Sequence, residues 1–204
     1  MIYPLRLKAR LRRFRSESNG WVALELLTML PLLFWTILAP LQYFDAFRAE
    51  LISTKATLTV ADMYSRETGY IDSNYLNGTR QLLSHLSQAE VNPSFRVTLL
   101  TWNNSQNKYL VVWSRKRGTN PTHTKITLNL MSDELPLLEN GERAILVESS
   151  TTYEPNIKFG SGKGVMKAAG LRPLEFHSSL VTSPRFATTV CWNNTPSDSS
   201  KEKC

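Results

Sequence analysis

The chain has 204 residues and a net charge of +7, from 24 Lys and Arg against 17 Asp and Glu; that length allows one ordinary domain plus an anchor and excludes two large domains. Six basic residues, Arg6, Lys8, Arg10, Arg12, Arg13 and Arg15, precede Gly20 with only Glu17 opposing them, so +5 of the charge sits in a short leader and +2 in everything after it. Charge therefore gives no support to a nucleic-acid-binding protein; a basic arm abutting an apolar segment reads as an orientation signal facing the cytoplasm and anionic lipid.

The apolar segment, residues 21–41, is interrupted by Glu25, Thr28, Thr36, Pro31 and Pro40. At ~1.5 Å per residue a helix of this length crosses a hydrocarbon core of ~30 Å, and the basic arm before it places the rest of the chain outside the cytoplasm. A cleaved secretory signal fits poorly, because Ala46 and Ala49 flank two bulky residues, and the Arg12-Arg13 pair is weak evidence for twin-arginine export. A plain anchor leaves Glu25 unexplained. A carboxylate at the centre of a spanning helix costs roughly 2.5–3.5 kcal/mol and less near its end, where it reaches the interface. Such a group asks for a cation, and a cut after Gly20 would create one, the α-amino group of Trp21.

A basic leader, a glycine, an apolar helix and Glu25 at the fifth position after that glycine resemble a type IV pilin-type signal. More narrowly, the chain resembles the TadE/TadF-like minor pseudopilins of Tad (Flp) pilus systems. ADMYSRETGYID at 61–72, GERAILVESSTTYEP at 141–155 and SPRF at 183–186 add looser likenesses, while the bulky Trp21 and Leu26 in place of an aromatic are departures. The resemblance implies cleavage between Gly20 and Trp21 by a membrane-embedded prepilin peptidase, and an assembly role for the Glu25 carboxylate. Its implied partners are other pilins or pseudopilins and inner-membrane assembly components.

Beyond the span, Phe44, Phe47, Leu51, Leu58 and Ala61 recur at helical spacing, predicting that the helix continues to about Arg66. Two uses of that stripe compete: packing against the later β-part, which is the more common outcome, and packing against helices of partner subunits. Pro40 inside the helix predicts a bend. Gly69 is the expected helix end, and Asp72, Ser73 and Asn74 are candidate caps for a second helix over 75–88, interrupted at Asn77-Gly78. FRVTLLTW, NNSQNK and YLVVWS then read as a β-hairpin over 95–114. Further strands are predicted at 124–130, 143–153, 174–181 and 186–192, rich in residues that suit a pleated, half-buried surface. The fold class is α+β: a long N-terminal transmembrane helix continuing as an amphipathic helix, then a mostly antiparallel sheet of about five strands. The domain division is a leader at 1–20, a transmembrane helix at 21–41, a helical region at 42–92 and a β-rich part at 93–204 ending in a polar tail.

Motifs for chemistry are weak. FGSGKG at 159–164 lacks both the first glycine and the final Ser or Thr of a phosphate loop and reads as a hairpin loop. His85, His123 and His177 are scattered, so no metal or other cofactor is expected, and the absence of a Gly-x-Ser-x-Gly elbow removes one hydrolase signature. Glu142, Glu148 and Glu154 share a face at spacing six, expected to be a solvated sheet face. Cys191 and Cys204 are the only cysteines, and outside the cytoplasm they are expected to form a disulfide with each other; the alternatives are free thiols or bonds to other subunits. The leading expectation is a non-enzymatic, pilus-assembly pseudopilin in the inner membrane, with its N-terminus cytoplasmic and its C-terminal domain periplasmic. The alternative is an uncleaved single-pass protein whose periplasmic domain binds a ligand or envelope component.

Overall fold

The structure, a computed structural model, describes residues 21–89, 91–155, 173–195 and 202–204. The predicted leader with Gly20, and the FGSGKG loop, lie outside the described residues. The chain divides into two units, Met1–Phe44 and Asp45–Cys204. The helix α1, Trp21–Ser65, contains both Pro31 and Pro40.

In the first unit, α1 is apolar and long enough to cross a membrane, with none of its most apolar stretch buried inside the protein. Its two hydroxyls are satisfied locally: Thr28 donates to the Glu25 carbonyl and Thr36 to the Leu33 carbonyl, each at 2.8 Å. A spanning helix needs that self-sufficiency, since lipid offers polar groups no partner.

The second unit is a four-stranded antiparallel sheet with helices on one face and a short helical cover on the other. Its strands are β1 (Ser94–Asn103), β2 (Lys108–Arg117), β3 (Arg143–Tyr153) and β4 (Leu174–Thr182), in the order β2-β1-β3-β4. The predicted hairpin is present, turning at 104–107 with Asn107 in the left-handed region, a conformation asparagine tolerates better than most residues. The strand expected over 143–153 and that over 174–181 are β3 and β4. Two other expectations fail. Residues 125–130 form a helix, α3 (Lys125–Leu130), because Thr124 and Thr127 close a reciprocal capping box that satisfies backbone N–H groups at its start. Residues 186–192 form no strand; only Trp192 makes isolated bridges, to Ile71 and Lys203.

The second helix, α2 (Ser73–Ser87), is capped by Asp72, whose carboxylate accepts from the Tyr75 N–H at 2.7 Å. It runs through Asn77-Gly78 without a break, since Leu76 and Leu83 on either side are fully buried and fix the segment. The first helix ends at Ser65 rather than at Gly69. There the Ser65 carbonyl accepts from the Arg185 N–H at 2.7 Å, so the SPRF segment supplies one of the donors a helix C-terminus lacks.

One sheet face presents Phe95, Val97, Leu99, Ile145 and Val147 to Ala56, Val60, Ala61 and Tyr64 of α1 and to Leu76 and Leu83 of α2. The opposite face carries a smaller core, with Leu100, Tyr109, Ala144 and Leu146 beneath Leu128 of α3 and Leu135. A bulge explains how β2 serves both. Leu99 pairs with Trp113 but Leu100 pairs with Val111, so Val112 is the extra residue and the alternation of β2 is reset there. Trp113 consequently enters the helix-side core, while Tyr109 and Val111 join the other. After β2 the chain turns at Gly118, with φ of 100° and so close to Ser94 that any side chain would strike its backbone.

The docking of α1 on β3 is partly polar. The Thr57 hydroxyl donates to the Ser53 carbonyl at 3.0 Å, so it receives the hydrogen of Ser149 at 2.6 Å, and Ser53 pairs with Thr151 at 2.7 Å. All four side chains are buried. Thr57→Val leaves the Ser149 hydroxyl unpartnered and is expected to cost about 1–3 kcal/mol, most of which Ser149→Ala added to it recovers. Denaturant unfolding of the full chain in detergent measures both, and a double variant no more stable than the single one would refute the pairing.

Candidate functional site

Three groups of residues in the described chain are candidates for function. The first is the acidic position of the span. Trp21 begins α1 and is 74% exposed, and Glu25 lies exposed on the next turn. Only Trp21 of the expected cleavage pair is described, and the chain itself provides Glu25 with no side-chain ion pair among the described residues.

The second is the outward face of α1 in the second unit. The buried residues turned to the core are mostly small or hydroxylic, namely Ala46, Ser53, Ala56, Thr57 and Ala61, with Val60 and Tyr64 beside them and Met63 partly buried against the same core. Three large apolar residues face the other way: Phe47, Leu51 and Leu58 are 62%, 61% and 45% exposed. The stripe predicted in the sequence is therefore resolved against core packing for all but Ala61; Phe44, in the first unit, is likewise exposed. Spacing alone did not separate the two uses, because the small residues inside repeat with the same period as the large ones outside.

The third is an ionic cluster on the outer sheet face that sequence reading missed. Arg96 of β1 and Glu148 of β3 are direct cross-strand partners. The Arg96 Nε donates to one Glu148 oxygen at 2.6 Å, and His123 Nε2 contacts that same oxygen at 2.8 Å while the Arg96 Nη2 holds the other. His123 Nδ1 lies 3.2 Å from the Thr127 hydroxyl, and Arg96 Nη1 donates to the Pro121 carbonyl. The Glu148 and Arg96 side chains are each 13% exposed and that of His123 is 5% exposed. The expected solvated acidic face is thus corrected: Glu148 is enclosed and paired with Arg96 and His123, as a buried carboxylate must be paired. One signal was legible, a single arginine in the otherwise apolar alternation of FRVTLLTW; its partners, far off in sequence, were not.

A cleft of about 470 Å³ borders this cluster, lined among others by Asn120, Glu134, Glu148, His177 and Ser179. Both Glu148 oxygens and three Arg96 nitrogens are engaged with protein groups, which leaves the cluster suited to fastening the 118–124 loop onto the sheet rather than to transferring protons. Burial pushes the Glu148 carboxyl up, but hydrogen bonds and charge from His123 and Arg96 outweigh it and hold the group below its ordinary value.

The disulfide expected between Cys191 and Cys204 is present. It ties Cys204 back to the domain beside the mutual Trp192 and Lys203 backbone bonds, each 2.9 Å. Glu202 lies with the two sulfurs in a group of potential metal ligands, but sulfurs bonded to each other offer no thiolate. The indole of Trp113 donates to the Val190 carbonyl at 2.9 Å, and the Arg115 guanidinium sits 4.7 Å over the Trp192 ring. Residues 190–193 are thereby fixed as core without being a strand.

Comparison with protein-family models, with curated proteins and with solved structures finds no match.

Because the folded-state pKa of Glu148 is depressed, its contribution is complete above the ordinary value of 4.5 and is lost as pH falls from there through the folded value. Glu148→Gln is expected to lower stability at pH 7 by about 2 kcal/mol, between the exposed and fully buried cases. It is also expected to flatten the acid limb. Unfolding midpoints of both proteins from pH 3 to pH 7 test this (about four units, spanning the ordinary carboxylate range); parallel acid limbs would refute it.

Proposed function

We propose that this chain is a minor pseudopilin-like component of a Tad-type pilus assembly system, a packing protein rather than an enzyme. In this reading it is held by its N-terminal helix in the inner membrane, with its second unit in the periplasm. The observation that carries the reading is the division of α1 in the second unit, where small residues dock on the sheet and Phe47, Leu51 and Leu58 are left uncovered. A helix that served only as a tether and a core element would gain by reversing that arrangement, since each large apolar side chain moved out of water contributes about 1.5–3 kcal/mol. Exposed apolar helix surface of this kind is what subunit packing uses.

Glu25 supports the same reading. A carboxylate near the start of an otherwise apolar span is tolerated when a cation compensates it. Removal of the leader after Gly20 would supply the Trp21 α-amine for that purpose, in the same chain or from a neighbour. The partners in this reading are a prepilin peptidase, other pilins or pseudopilins, and membrane-embedded assembly components.

N-terminal sequencing of the mature protein is expected to begin at Trp21; an intact Met1 end would instead support an uncleaved anchored protein that binds a ligand or envelope component. Glu25→Ala is expected to leave membrane insertion intact, relieving an insertion cost of roughly 1–3 kcal/mol, while piliation is lost. Normal piliation in that variant, scored by electron microscopy, would exclude the proposed role of the carboxylate.

A further inference from the structure

The exposed face of α1 in the second unit has a spacing and a charge pattern that select one kind of partner. Phe47, Leu51, Thr54 and Leu58 follow one another at four, three and four residues, the alternation of coiled-coil d, a, d and a positions. All four are exposed. In that register Arg48 and Lys55 fall at e positions and Glu50 at a g position, and all three side chains are exposed as well. Of the buried residues of this stretch, Ala46, Ser53, Ala56 and Val60 lie away from the seam, while Thr57, at a g position, packs on β3 and the Thr54 hydroxyl lies 3.4 Å from that of Ser178 on β4; the seam is open along its Arg48 and Lys55 flank, and Phe47, Leu51 and Leu58 stay uncovered while the domain is docked.

In a parallel pair of such helices, a g residue meets the e residue five positions later on the partner. Glu50 of one chain then faces Lys55 of the other, and the relation repeats by symmetry. In an antiparallel pair e meets e, which would set Arg48 and Lys55 against the basic e positions of the partner. A membrane anchor inserted with one orientation imposes the same parallel sense on every copy. The geometry points to an in-register, parallel association of two copies of this chain through Phe47, Leu51, Thr54 and Leu58, with reciprocal Glu50 to Lys55 pairs. A second copy is favoured over a different protein because this helix carries both members of the charge pair at the offset that self-pairing requires. The association needs only a shared anchor and stands apart from the filament reading.

The two native cysteines are bonded to each other, so one added cysteine is a selective probe. Full-length Leu51→Cys and Leu58→Cys, expressed in the inner membrane of cells without pilus genes, are expected to give covalent dimers on mild oxidation. Leu137→Cys, which is 96% exposed on the loop after α3, measures chance collision and is expected to give few. Adding Glu50→Lys to Leu51→Cys is expected to lower the dimer yield roughly fivefold, since two attractive contacts become repulsive. Combining Glu50→Lys with Lys55→Glu is expected to restore it. Yields at both seam positions no higher than at Leu137→Cys, a yield unmoved by Glu50→Lys, or a double reversal that stays low would each overturn the proposal. Because those cells assemble no filament, a negative result would bear on self-association and leave the assembly role to its own test.

Discussion

Everything in the second unit depends on how closely α1 approaches β3. With Ser53, Ala56, Thr57 and Ala61 at the contact there is little side-chain bulk between helix and strand, and two hydroxyl pairs form directly across the gap. Larger residues there would remove those pairs and push the helix outward. Close approach also decides what the other side of the helix carries: the bulky residues that a typical amphipathic helix buries are displaced to the outer surface. Buried hydroxyls in mutual hydrogen bonds make the docking specific in register, because a shift of one residue along β3 would turn Ser149 and Thr151 to the wrong face.

The sheet itself has two dissimilar faces, and the bulge at Val112 lets β2 contribute to both. On the helix side the core is continuous from Leu99 through Trp113 to Trp192. On the other side the apolar part is confined to the end of the sheet nearest the hairpin, around Leu100, Tyr109 and Leu146, and the remainder is polar. Arg96 and Glu148 occupy that remainder. Their pairing, completed by His123, turns an uncovered stretch of sheet into a fixing point for the loop that leads to α3. The Thr98 and Ser114 hydroxyls, 2.8 Å apart, continue this polar strip, and the His123 N–H donates to Ser114 at 3.0 Å.

Local signals in the sequence carried the elements whose stability is local. The 95–114 hairpin, β3 at 143–153 and the Asp72 cap were legible because alternation, turn residues and cap chemistry each act within a few positions. The 124–130 segment was misread as a strand because its Thr and Ile content suits a sheet, whereas the reciprocal bonds between Thr124 and Thr127 decide for a helix. Residues 186–192 have strand composition too, yet they are held by two contacts no pattern encodes, with the Ile71 backbone and the Trp113 indole, besides the disulfide to Cys204 that the cysteine count did signal. The ionic cluster was hidden for the same reason. Arg96, His123 and Glu148 come from three separate segments: strand register pairs Arg96 with Glu148, and the loop before α3 folds back to bring His123 to them.

The exposed face of α1 also has an energetic logic. Three large apolar side chains about half exposed leave on the order of 1 kcal/mol each unrealised, too little to drive association of free proteins against the loss of translational and rotational freedom. Anchoring would change that balance. Two chains inserted in one membrane would already have given up most of that freedom, and their effective concentration would be raised as it is for linked modules. A short seam of two a and two d positions, with Thr54 weakening one layer, would then suffice for a reversible contact without producing a permanent one. A stronger seam, with leucine at every position, would risk fixing copies together before either met a different partner. A face of this modest hydrophobicity would favour contacts that form and release over contacts that persist.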